Sequence, residues 1–65
     1  MRLNKNAVDL LRAKHCLSVN MLSKKAGVGA NTIYAGYERD IDALPIGRLA
    51  KALCVAPEDI IKTEE

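Results

Sequence analysis

Apolar residues recur along this chain at three- and four-residue steps, and residues that start or stop helices separate the runs. In and just before residues 4–15, Leu3, Ala7, Leu10, Leu11 and Lys14 follow helical spacing, which predicts a helix with one apolar face and Asn4 as its cap. A second helix is predicted over residues 18–26. Ser18 can accept from the freed amides of its first turn, and Gly27 can take the left-handed conformation that ends it. Met21 stands where a glutamate would complete a capping box, so that cap is half made. Val28 and Gly29 then lead into a third helix, ANTIYAGY. Leu44, Ile46, Leu49, Ala50 and Leu53 predict a fourth, with Pro45 in its first turn. In APEDIIK, Pro57 is pre-set for a first turn, and Glu58 and Asp59 favour the positive end of a helix dipole, which predicts a fifth. No run alternates with period two over a useful length. The expectation is an all-α domain of five helices over residues 1–65, with a frayed tail at 62–65.

About three residues join the second and third predicted helices. A link so short, with glycine and a buried valine in it, forces a steep crossing of the helix-turn-helix kind. Leu22, Ala26, Val28 and Ile33 can then close one small core against Leu49 and Leu53. Packing accounts for Leu22, Ala26, Val28 and Ile33, so any binding function has to reside in what the third helix leaves exposed.

Composition narrows the classes. Phe and Trp are absent, so the interior is built from Leu, Ile, Val, Ala and Met. The net charge is +2 and the isoelectric point is near 8.7. Residues 1–40 carry seven basic against three acidic groups, and residues 41–65 three against five, an asymmetry that suits showing the N-terminal half to a polyanion. The apolar runs are too short for a transmembrane helix, and the charge-interrupted start does not read as a signal peptide. The expectation is therefore a cytoplasmic protein, with Cys16 and Cys54 as free, buried thiols. His15 reads as a helix C-terminal residue rather than a ligand. With no zinc-type spacing, no Ser, His and acid constellation, and a GVGA that lacks the strand and further glycines of a dinucleotide site, no enzyme, metal, cofactor or small-molecule substrate is expected.

The segments LS at 17–18, KAGV at 25–28, TI at 32–33 and LAKALCV at 49–55, in this order and spacing, resemble the helix-turn-helix domain of the Cro and cI repressor family, also called XRE-like regulators. The resemblance covers about residues 4–61 and implies a five-helix, lambda-repressor-like fold whose third helix enters the DNA major groove. Carried over by position, it turns Gly29, Ala30, Asn31, Thr32 and Tyr34 towards the DNA, with Ala35 on the same side. Asn31 is the best base reader, because its amide can accept from adenine N6 and donate to N7. Thr32 would meet a thymine methyl or a phosphate, and Tyr34 a sugar or the backbone. Ser18, Asn20, Tyr37 and Arg39 are the candidate phosphate contacts. Lys24 and Lys25 fit a phosphate contact and a solvated face equally.

The chain departs from the family pattern at several points. Val19 replaces a glutamine that commonly anchors phosphate, Gly29 and Ala30 replace longer base-reading side chains, Glu38 lies one residue later than usual, and Gly36 occupies a normally apolar position. An extra residue or an early end to the third helix would explain the last two, and puts Tyr37 and Arg39 in question as contacts. The function implied is that of a transcriptional regulator occupying an operator. Two copies would bind a near-palindromic double-stranded site with half-sites ~34 Å apart, through a homodimer contact at Val55, Ile60 and Ile61 unless those residues serve the core of one chain. The alternative is an antirepressor or modulator of the same fold that docks on a repressor partner through Ala30, Tyr34, Ala35 and Tyr37.

Overall fold

In the computed structural model, which describes residues 1–62, four α-helices follow one another: α1 (Lys5–His15), α2 (Val19–Ala26), α3 (Ala30–Glu38) and α4 (Ala43–Ala52). The predicted starts hold. The Asn4 side chain accepts from the Ala7 amide, and the Ser18 hydroxyl from that of Met21. The expected fifth helix is instead a single 3-10 turn, Pro57–Asp59. The groups that would extend it are engaged elsewhere: Ile60 accepts from the Asn4 amide at 2.8 Å, and the Lys62 amide donates to Arg2 at 2.7 Å. These bonds flank an antiparallel bridge between Leu3 and Ile61, and among the described residues there is no strand.

Leu22, Val28, Ile33, Leu49 and Leu53 are buried as the spacing requires, joined by Leu3, Val8, Ile46, Ala50 and Ile60. The predicted apolar face of α1 needs correction. Val8 is its fully buried residue, while Leu10, roughly 200° round the helix from Val8 at 3.6 residues per turn, is 72% exposed. Ile60 is fully buried within one chain, and Val55 and Ile61 pack against the same core.

α1, α2 and α4 end alike. A residue with positive φ follows α1 and α2 directly and α4 after Leu53: Cys16 (56°), Gly27 (71°) and Cys54 (60°). After it comes Leu17, Val28 or Val55, whose amide reaches back five residues to a helix carbonyl, as in a Schellman motif. This corrects the expectation for the cysteines. Both are free, as predicted, but exposed, because they occupy left-handed turns at the surface. A side chain in that conformation costs ~1–2 kcal/mol, offset in part by the greater freedom glycine has when unfolded. Cys54→Gly is therefore expected to stabilise the domain by about 1 kcal/mol, which at this size raises Tm by ~4–8 °C. A calorimetric scan checks it.

The first three residues strap α3 and the link after it in place. The Leu3 amide donates to Gly36 at 2.8 Å, Arg2 Nε to the Tyr37 carbonyl at 3.3 Å, and the Ile41 amide to Met1 at 2.6 Å. Leu3 itself fills the space that the missing side chain of Gly36 leaves. A Cβ built on Gly36 would lie 2.7 Å from Leu3 Cδ1 and 2.9 Å from Ile41 Cδ1. The departure at Gly36 is thus a packing exchange within a helix that still runs to Glu38.

Candidate functional site

The link from α2 to α3 is fixed at both ends. Ser23 O accepts from the amides of Gly27 (2.9 Å) and Val28 (3.1 Å), and its hydroxyl donates to the Val28 carbonyl. Arg48, from α4, donates through Nη1 to the Gly27 carbonyl at 3.2 Å. Val28 is buried beneath this turn, and Gly29 opens α3 with no side-chain cap. The start of α3 is therefore held by a left-handed glycine, four hydrogen bonds and one buried valine.

Ile33 and Gly36 turn inward on α3. Asn31, Tyr34 and Glu38 are exposed, and Thr32 and Ala35 are half-buried on the flanks of that exposed face. Ala30 is half-buried too, because by helical rotation it stands closer to Ile33 than to Asn31. Tyr34 is 54% exposed and meets Tyr37 edge to face, ring centroids 6.3 Å apart. Ser18 and Asn20 are exposed at the start of α2, the Ser18 oxygen serving as cap acceptor while its O–H remains able to donate. Val19 packs partly against the core, which gives the residue at this position a structural role.

Tyr37 faces α1. Its hydroxyl is enclosed without a hydrogen-bond partner among the described residues, and Lys5 Nζ lies 5.8 Å from its ring centroid. On α1, Asp9 pairs with Lys5 (2.9 Å) and Arg12 (2.8 Å). The hydrogen bond from Lys5, then that from Arg12, holds the Asp9 carboxyl below the usual range. Burial raises the Tyr37 phenol above its ordinary 10; the Asp9 carboxylate adds to the rise and Arg12 opposes it. Tyr34→Phe leaves Tyr37 as the one tyrosine in a chain without tryptophan. Its phenolate absorbance is expected to titrate above pH 10. Stability should fall as pH climbs from about 10 towards that raised value, because the unfolded phenol releases its proton first. Titration at or below the ordinary value would mean that the ring is not enclosed.

Arg39 is exposed and extended just after α3, between Glu38 and Asp40. Residues 38–42 carry three carboxylates to this one arginine, which weakens any attraction for phosphate there. The turn-fixing roles of Ser23 and Arg48, and the Asp9–Arg12 pair beside Tyr37, are absent from the sequence expectations. The spacing of Lys5, Asp9 and Arg12 could have signalled the α1 pairs, whereas the bond from Arg48 to Gly27 spans 21 residues and carries no local sign.

Among the described residues no three of His, Cys, Asp and Glu group as a metal ion would need, and no helix is long and apolar enough to cross a membrane. His15, the last residue of α1, places Nε2 3.2 Å from the Leu53 carbonyl and so ties the ends of α1 and α4 together. Compared with protein-family models, curated proteins and solved structures, the chain matches none.

Proposed function

We propose that this chain is a sequence-specific DNA-binding regulator of transcription, of the Cro and cI helix-turn-helix type, that acts by occupying an operator with α3 in the major groove. The observation that carries the reading is the rigidly linked pair α2 and α3: a three-residue turn over buried Val28, and beyond it a short helix whose outer face offers Asn31, Tyr34 and flanking Thr32 to solvent. Asn31 is the proposed base reader. Ser18 and Asn20, at the positive end of the α2 dipole, are proposed phosphate contacts, and Arg39 a weaker one. Tyr37 supports the site from within, holding α3 against α1.

The second reading, an antirepressor or modulator docking on a repressor, draws on Glu38. It shares the outer face of α3 with exposed Tyr34, so this surface suits a protein as well as a polyanion. Enrichment of the purified protein on a pool of random duplexes at moderate salt separates the two. A paired motif with centres about 10 bp apart is the expected result for a dimeric operator binder. No enrichment from folded protein would favour docking on a repressor.

A further inference from the structure

The excess of positive charge in residues 1–40 does not form one free surface in space. Arg2 is bound to the Tyr37 carbonyl, and Lys5 and Arg12 to Asp9. The link from α3 to α4, with three carboxylates to one arginine, repels phosphate. The surface beside the start of α3 differs. From Gly29 and Thr32 at its start, a cleft runs to Arg48 on α4, and a second continues from Arg48 to Lys25 and Lys51. No acidic side chain lines either cleft, and among the described residues none of the three cations pairs with a carboxylate. Lys25 and Lys51 stand in the last turns of α2 and α4, where they complement helix dipoles. That accounts for their sign but not for their convergence on Arg48, which comes from the middle of α4. At about 200 and 280 Å³ the clefts are smaller than the ~300–1,000 Å³ typical of small-molecule pockets. They form a strip, which suits an extended polyanion.

We infer that Lys25, Arg48 and Lys51 form a phosphate-tracking stripe that takes the DNA backbone beside the groove entered by α3, an assignment that rests on the DNA-binding reading. Arg48 joins the two parts, since it lines both clefts and its guanidinium also fixes the turn. The test is the salt dependence of binding to a random-sequence duplex, read as the slope of log K against log[salt], for the wild type and for Lys25→Gln/Lys51→Gln. This double variant leaves the bond from Arg48 to Gly27 in place, and a thermal melt verifies its fold. The slope is expected to fall by about two, at ~0.9 per phosphate contact, with base preference in the duplex enrichment unchanged. Lys62→Gln, beside the bridge to Leu3, is expected to leave the slope as it is.

An unaltered slope in the double variant, with the wild type binding normally, would overturn the stripe and leave the proposed function standing. An equal drop from Lys62→Gln would overturn it too, since any cation would then serve. A wild type that binds no duplex at low salt would overturn both. Loss of binding to polyglutamate, with the duplex slope unmoved, would assign the face to an acidic protein instead.

Discussion

Leu3→Ala is expected to destabilise the domain by ~2–5 kcal/mol, the usual range for emptying a fully buried leucine site. Leu3 is 1% exposed and its side chain fills the space above Gly36, so both the core and the seat of α3 depend on it. The sharper part of the expectation concerns Gly36. With Leu3 present, Gly36→Ala gains roughly 1 kcal/mol of helix propensity but drives a methyl to within 2.7 Å of Leu3 Cδ1, and overpacking of this kind costs ~1–3 kcal/mol. The net effect should be destabilising. In the Leu3→Ala background both Leu3 contacts are gone, and Ile41 Cδ1, at 2.9 Å, is a side-chain end that can shift. There the same glycine substitution should stabilise. A chemical-denaturation cycle over the four proteins, made in the Cys54→Gly background to keep the weakest member folded, is expected to show this reversal of sign and a coupling of ~1–3 kcal/mol. Additive effects would mean that Leu3 does not occupy the space above Gly36.

That exchange marks where the sequence is legible. The starts at Asn4 and Ser18, the left-handed end at Gly27 and the short link to α3 all depend on residues within about five positions of one another, and local chemistry is enough to read them. The ends at Cys16 and Cys54 use the same backbone turn, but cysteine carries no signal for positive φ, so the thiols read as buried apolar groups. The spacing of Leu10 from Leu3, Ala7 and Lys14 is helical, which by itself puts Leu10 on the inner face. Leu3 in fact precedes α1 and is positioned by Gly36 and Ile61, partners more than thirty residues away. The failed fifth helix has the same origin, since Ile60 and Lys62 pair with the N-terminal residues. For the candidate site, the exposure of Asn31, Tyr34 and Asn20 follows from helical period, and that of Ser18 from its place as a helix cap. The enclosure of the Tyr37 hydroxyl and the two-sided role of Arg48 depend on the packing of α1 and α4 and have no local sign.

The helix that packing holds so firmly at Gly36 is the one whose opposite face would read DNA, and Asn31 tests that use without disturbing the packing. Asn31→Ala replaces an exposed side chain that makes no hydrogen bond among the described residues, and alanine is the better helix former, so stability should hold or rise slightly. For a base reader, the expected loss is ~1–3 kcal/mol of discrimination at one base pair per half-site. That is roughly 5- to 150-fold in relative affinity, and a symmetric operator would incur it twice. Because the amide is uncharged, binding to random duplex and its salt slope should be unchanged. This separates the variant from Lys25→Gln/Lys51→Gln, which should alter the slope and leave base preference alone. Duplex enrichment repeated with Asn31→Ala reads the first effect, and salt titration the second. If the preferred sequence survives the substitution intact, Asn31 is not the reader, and the specificity of α3 has to come from Thr32, Tyr34 and the shape of the groove. If Asn31→Ala and Tyr34→Ala leave every duplex measurement unchanged while weakening capture of a repressor, the outer face of α3 is a protein-docking surface, and the same rigid turn over Val28 serves to present it.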